Sequence, residues 1–458
     1  MKIFKNIFGI GMLLCVSISC DHFVEVDLPS SQLTSTAVFE SYTTAEAAMV
    51  AIYAKIRDNG LLSGTAFGLS NELGCYTDEL QFYGDNSNSS KAFYNNGLLP
   101  SNSDITAYWN GSYNQIYAAN SVIEGVAHSS VLTQVQKDHL RGEALFVRAM
   151  LHFYLVNLYG AIPYVITTDY TQNSVVTRMS VASVYSQIKS DLESAILLLP
   201  STDISGERVR PTAFTAHALL ARVDLYNHNW AEASNEASAV LNNTDYSLEP
   251  NLDAVFLKDS PTTIWQFSPV SDGRNTDDAQ TFIFSTGPPP LVALSSSLLA
   301  SFTPLDQRKV HWVQSVTDGT TTWYYANKYK QNATTPTSVE YTILFRLAEQ
   351  YLIRAEARAQ QGDLIGAQQD LNVIRNQAGL PDTTAVTAQD IITAVLQERQ
   401  LEFFTEQGHR FFDLKRSGTI DSVLSPVKMG WNATDVLFPL PQTELLVNPN
   451  LNPQNPGY

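Results

Sequence analysis

Two stretches decide the fold: ALLARVDLYNHNWAEASNEASAVL at 218–241 and YLIRAEARAQQGDLIGAQQDLNVI at 351–374. In the first, Ala221 and Ala233 stand twelve positions apart with Trp230 between them. In the second, Ala355 and Ala367 repeat that spacing, with Leu364 at the point equivalent to Trp230. Apolar residues recur every three to four positions on either side of a short polar break, so each stretch reads as a helix, a tight turn and a second helix. Alanine at the matched positions lets the two helices of each hairpin approach closely, because a methyl group is all that separates the backbones.

This is the pattern of a tetratricopeptide-like hairpin. The two copies lie far apart in the chain, so the array is not a simple tandem solenoid. The expected fold is mainly α: a scaffold of helical hairpins with long irregular loops and a few short β-hairpins. Further helices are expected at Thr44–Asp58, Tyr108–Val126 and Gln134–Tyr159, the last closed by Gly160 and Pro163. Another runs from Val181 to Leu199 and stops before Pro200, and Pro211 suits the first turn of the next. Ile343–Gln361, Leu364–Ala378 and Ala388–Gln407 complete the set.

Between the helices lie two insertions, near 60–107 and 243–342. The first is rich in Gly, Ser and Asn with scattered Tyr and Phe. The second holds a strand-like run at Thr263–Phe267 and two more, Val310–Val316 and Thr321–Tyr325, flanking the turn pair Asp318-Gly319. Long irregular segments on a compact scaffold are usually functional or mobile. The ending FPLPQTELLVNPNLNPQNPGY (438–458) holds too much Pro and Asn for a helix and reads as an extended tail over the surface.

Size and charge narrow the function. The chain has 458 residues and a net charge of -17, with 28 Lys plus Arg against 45 Asp plus Glu. Such a surface repels phosphate backbones, which argues against nucleic acid. Aromatic residues make up 10%, enough to fill a core and leave rings for neutral ligands. At the start, MKIFKNIFGIGMLLCVSISC joins a basic head (Lys2, Lys5) to an apolar run shorter than a membrane span, the pattern of a secretory signal. Cys20 follows Val16-Ser17-Ile18-Ser19, a lipobox-like setting in which Ser17 replaces the usual Leu. The reading is a lipoprotein signal peptide at 1–19, Cys20 as the lipidated residue and a single domain from 20 to 458. Cleavage makes the mature chain two charges more negative. Of the three cysteines Cys75 is then the remaining thiol, so no intramolecular disulfide forms.

Several stretches carry a family likeness. RGEALFVRAMLHFYLVNLYGAIPYV (141–165), FRLAEQYLIRAEARAQQGD (345–363), LNVIRNQAGL (371–380), ERQLEFFTEQGHRFFDLKR (398–416) and NPNLNPQNPGY (448–458), in that order, resemble the SusD/RagB family over essentially the whole chain from Cys20. The resemblance implies a surface-exposed outer-membrane lipoprotein of Bacteroidetes. Such a protein binds a nutrient, most often an oligosaccharide, caps a SusC-like TonB-dependent transporter and is not an enzyme. A RagB-type peptide binder is the alternative.

Glu398, Glu402 and Glu406 lie four apart on one helical face. They read as an ion network with Arg410, Lys415, Arg416 or an adjacent helix rather than as a glycosidase acid and base. In the resemblance His409, Arg410 and Asp413 belong to a structural signature. HExxH, GxSxG and GxxxxGK motifs are absent from the sequence. Asp272, Asn275, Asp277 and Asp278 share a loop that could offer oxygens to calcium. The spacing departs from an EF-hand, so a solvated acidic loop is the expectation and no metal is assigned. A sugar ring stacks its C–H face on Tyr or Trp while its hydroxyls need short polar side chains. That mix occurs in Tyr76-Thr77-Asp78-Glu79 through Phe82-Tyr83 to Asp85-Asn86, and around Trp265, Trp312 and Trp323-Tyr324-Tyr325. Tyr76, Asp78, Tyr83, Trp265 and Trp323 are the expected ligand-binding residues, while Trp109 and Trp230 are assigned to helices and core.

Overall fold

The computed structural model describes residues 35–458. The expected signal peptide at 1–19 and Cys20 lie outside the described residues. The architecture is mainly α. The principal helices are α1 (Tyr42–Asn59), α2 (Leu69–Tyr76), α3 (Ser103–His128), α4 (Gln134–Tyr159) and α5 (Val181–Leu198). They are followed by α6 (Ala213–Tyr226), α7 (Trp230–Leu241), α8 (Leu347–Gln360), α9 (Leu364–Gln377), α10 (Ala388–Phe403) and α11 (His409–Arg416). Six strands pair two by two: β1 (Leu80–Phe82) with β3 (Val292–Leu294), β2 (Thr263–Phe267) with β6 (Thr342–Arg346), and β4 (Val313–Thr317) with β5 (Thr322–Ala326).

From α3 onward each principal helix packs on the next as far as α9, and α10 packs on both α8 and α9. The hairpins α6/α7 and α8/α9 are therefore neighbours in space, because α7 lies along α8 although the second insertion separates them in sequence. Ala221, Ala233, Ala355 and Ala367 are all fully buried, as close helix approach requires. The return of the chain is fixed by β2 and β6. They open and close the insertion, pair antiparallel, and deliver the chain at Arg346, the N-cap residue of α8.

Local chemistry moves several boundaries from their sequence expectation. Ile343 belongs to β6 rather than to a helix. Thr342–Arg346 is buried at every residue, and a short fully buried strand cannot be told from a helix by periodicity. Pro211 stands outside α6, which is capped by the Thr212 hydroxyl accepting from the Thr215 N–H. Instead of running to Gln407, α10 stops at Phe403. Thr405, Gln407 and Gly408 all take positive φ (56°, 40° and 78°), which a right-handed helix cannot continue through. The hairpin strands begin at Val313 and Thr322, and the Asp318 carboxylate accepts the N–H groups of Thr320 and Thr321 in the turn.

Two expectations fail more broadly. The first insertion is not a loop laid on the scaffold, since every residue of α2 is buried. Cys75 sits there, fully buried, and burial pushes its thiol well up. The C-terminal stretch is not a surface tail. It contains a short helix, Gln442–Val447, and Phe438, Leu440 and Leu451 join the main core. The amide of Asn455 donates to the carbonyls of Tyr159 and Phe438, which locks the ending onto α4.

The three acids do form an ion network, in part with an adjacent helix as expected but not with Arg410, Lys415 or Arg416. Arg308 contacts Asp306 at 2.8 Å, Glu398 at 2.7 Å and Glu402 at 2.9 Å. Arg346 bridges Glu402 at 2.5 Å and Glu406 at 2.8 Å, and Lys328 reaches Glu406 at 2.5 Å. The cations are Arg308 and Lys328 of the second insertion, Arg346 just after it and, on the adjacent helix α9, Arg375, which reaches Glu398 at 3.3 Å; Arg410, Lys415 and Arg416 do not take part. Arg416 instead pairs with Glu356 and Asp413. With Arg308 fully buried, Arg308→Leu would strand carboxylates in the core. The expected loss is about 3–5 kcal/mol of unfolding free energy, read from urea denaturation. A loss below about 1 kcal/mol would mean the network is not structural.

Candidate functional site

The two insertions meet in one lobe. From the first, β1 pairs with β3 of the second in the register Leu80↔Leu294, Gln81↔Ala293, Phe82↔Val292. The Leu291 carbonyl extends the pairing by accepting the N–H groups of Tyr83 at 2.7 Å and Gly84 at 3.0 Å. Side chains alternate along the strands. Leu80, Val292 and Leu294 enter the main core, while Ala293 turns the other way onto a small separate cluster with Phe284 and Trp323. Trp323 and Tyr325 stand two apart on β5 and so share that face.

This geometry gives a platform with exposed and buried parts. The Trp323 indole is 8% exposed and lies against Gly287, where a Cβ would come within 2.0 Å of the ring. Gly287, which opens the run Gly287-Pro288-Pro289-Pro290, can lie against the indole only because it has no side chain. Tyr325 is half-buried, its ring 5.1 Å from that of Phe284. Tyr83 keeps 41% of its surface exposed. Beyond it the Asp85 carboxylate accepts from the Ser87 N–H and hydroxyl, which holds its pKa low, and Lys91 donates to the Asn86 side chain at 2.6 Å. The lobe thus carries phenol rings beside a rim of carboxylate, amide and ammonium groups.

Of the five residues expected from sequence, the structure brings Tyr83 and Trp323 to this lobe. Tyr76 and Trp265 are corrections. Tyr76 is fully buried among Phe93, Phe411, Trp431 and Phe438, and its hydroxyl donates to the Asp435 carbonyl at 3.0 Å. Trp265, also fully buried, packs against Tyr53, Phe146, Phe267 and Phe345 and donates to the Val209 carbonyl. No face of either ring is open to a ligand. Asp78 is likewise committed, with both oxygens accepting from Arg410 at 2.8 Å. Phe284, Gly287 and Leu291 escaped sequence reasoning. The Gly-Pro-Pro-Pro run was the available signal, a rigid segment that needs a flat partner.

The loop acids do not converge on a cation. Asp272 accepts the N–H groups of Gly273 and Ser338, Asp277 pairs with Arg274, and Asp278 accepts from the Thr342 hydroxyl. Asn275 is spent on the 333–340 segment. Among the described residues no group of three His, Cys, Asp or Glu is placed to hold a metal.

Beside Asp78, Glu79 is buried and its Oε1 has no hydrogen-bond partner. Burial, reinforced by the Asp78 charge, pushes its carboxyl up to about 8. Its folded pKa exceeds the unfolded one, so this group favours folding fully at acid pH. That contribution is lost as pH rises from the ordinary carboxylate range through about 8. Glu79→Gln removes the proton equilibrium. Thermal melts at pH 5 and pH 8.5 should show the variant losing less Tm than the parent across that interval. Equal losses would mean Glu79 ionises without cost.

Comparison with known proteins gives a consistent picture. A family model described as "Starch-binding associating with outer membrane" matches residues 23–225, and one described as "SusD family" matches residues 311–435. SusD-like protein P25 of Formosa agariphila is 23% identical over the full length of both chains. Starch-binding protein SusD of Bacteroides thetaiotaomicron is 39% identical over 125 residues, 25% of this chain and 21% of that one. Among solved structures, a SusD superfamily protein from Bacteroides vulgatus superposes with a TM-score of 0.78 at 22% identity, covering 92% of this chain and 100% of the other. A laminarin-binding SusD-like protein gives 0.77 at 25% identity, covering 91% and 99%.

Proposed function

The chain belongs to the SusD/RagB family, and we propose that it is a glycan-binding lipoprotein of the outer-membrane surface. On this reading Cys20 carries the lipid once residues 1–19 are removed, and residues 20–458 form one binding unit. The protein captures an oligosaccharide without turning it over and delivers it to a SusC-like TonB-dependent transporter. Among the described residues no helix is long and apolar enough to cross a membrane, and on this reading the lipid on Cys20 supplies the attachment.

The observation that carries the reading is the convergence of Tyr83 and Tyr325, from insertions far apart in sequence, on one lobe with a polar rim. Phenol rings offer flat apolar surface for the C–H face of a sugar, and Trp323 beneath holds that surface rigid. Asp85, Asn86 and Asn88 supply short polar side chains at the edge for hydroxyls. Each contact is modest after competition with water, so affinity rests on several acting together.

Titration of the mature chain against plant, host and microbial polysaccharides should give saturable binding to one class with no reducing ends released. Tyr83→Ala and Tyr325→Ala should each weaken it about tenfold, the worth of one ring contact. Parent-like affinity in both variants would remove the lobe from the binding site. Silence across the panel together with binding of extended peptides would replace this reading with that of a RagB-type peptide binder.

A further inference from the structure

The two strands that join the insertions are spliced at one point. Ser295, the residue after β3, donates its N–H to the Glu79 carbonyl at 2.8 Å and its hydroxyl to the Asp78 carbonyl at 2.5 Å. Glu79 is also the last residue before β1, so its main chain cannot move without both strands. Its side chain turns inward. It is 2% exposed and lies between Gly74 of α2, which brings no charge, and the turn that ends α10, whose Thr405 N–H bonds the carboxyl. The other oxygen, Oε1, has no partner. Thr405 takes a φ of 56°, a left-handed angle that a β-branched residue adopts only where its surroundings force it. The insertion lobe thus rests on a strained turn through one carboxyl group.

The charges that face this group are already committed. Arg410 of α11 gives Nε and Nη2 to the two oxygens of Asp78. Lys328 of the second insertion spends its three donors on the Glu402 and Phe404 carbonyls and on Glu406. Asp78, next in the chain, repels a second negative charge. An ionised Glu79 would be buried without a pair, so the protein must either hold a proton there or shift until water reaches the carboxylate. Burial and the Asp78 charge push the carboxyl up to about 8, with Arg410 and Lys328 opposing the shift. We propose that Glu79 is a proton-operated latch for the insertion lobe: protonated, it seats the β1–β3 splice on the turn after α10; ionised, it lifts the splice and loosens the face that carries Trp323 and Tyr325. The latch follows from the packing; only its effect on a ligand rests on the reading above.

The test follows Trp323 in the full mature chain without any ligand. Subtracting the spectrum of Trp323→Phe isolates its emission from that of the other Trp residues. Between pH 6 and 9.5 this emission should follow a single-proton curve centred near pH 8 in the parent and stay level in Glu79→Gln. Asp78→Asn removes the neighbouring charge and frees Arg410, so it should move the midpoint to lower pH, a shift that general loosening of the fold does not give. A level Trp323 signal in the parent overturns the proposal. A transition that persists in Glu79→Gln also overturns it, by assigning the proton to another group such as Asp278 or Lys328, which burial brings to about 7 and about 8. Should Glu79→Gln fail to fold, the Asp78→Asn midpoint decides, and an unmoved midpoint overturns the latch. Affinity for a glycan bound by the parent should fall about tenfold from pH 6.5 to 9.5, the worth of one pKa unit between seated and lifted lobes, and stay level in Glu79→Gln. A Trp323 transition beside unchanged glycan affinity supports the latch and overturns the placing of the ligand on the lobe.

Discussion

One buried ionic cluster holds the two halves of this molecule together. Arg308 and Lys328 belong to the second insertion, Arg346 ends the strand that follows it, and Glu398, Glu402 and Glu406 belong to α10 and the turn that ends it. A charge removed from water must find a countercharge at close range, so each partner dictates where the other can sit. Strand β6, which carries Arg346, is thereby placed against α10. The pairing of β6 with β2 then places the start of the insertion as well. Burial pulls Lys328 down to about 8 while Glu406 beside it opposes the shift. Such a cluster specifies one arrangement more than it adds net stability, because desolvation offsets much of the attraction.

A second buried pair serves the scaffold in the same way. Arg222 of α6 contacts Glu349 of α8 at 2.6 Å, lies over the Phe345 ring and donates to the Tyr154 hydroxyl of α4. Three helices and β6 thus share one guanidinium. With the hairpins fixed so tightly, only those parts of the insertion between α7 and α8 that lie outside the ionic cluster are free of the stacking. That freedom suits the proposed role, in which loops match a ligand while the frame stays constant. The β1–β3 pairing exploits it by drawing the tips of two separate insertions together, which brings Tyr83 onto the same lobe as Trp323 and Tyr325.

Much of the frame was legible in the chain. Helical periodicity, Gly160 and Pro200 marked α4 and α5 nearly to the residue, and the alanine spacing found both hairpins. Thr263–Phe267 was read as a strand because β-branched and aromatic residues fill it. The failures share a cause. Ile343 sits in a short apolar run whose conformation is decided by the strand beside it, and α10 ends at Phe403 because Thr405 takes a backbone angle that composition does not encode. The C-terminal segment is rich in Pro and Asn yet buried, because Asn455 finds carbonyls on α4 that sequence cannot bring near.

The site divides along the same line. Sequence alone determined which residue types were on hand for a neutral ligand: aromatic rings in two insertions and a surplus of short polar side chains. It could not sort Tyr76 and Trp265 from Tyr83 and Tyr325, since all are aromatic residues in similar local settings. Exposure is a property of the whole packed chain. Tyr76 is enclosed by rings from three distant segments, and Asp78 is claimed by an arginine more than three hundred positions away. Local interactions act over a few residues and fix helices and turns. Which rings stay free and which charges are paired depends on contacts between remote segments, and those exist only once the tertiary structure has formed.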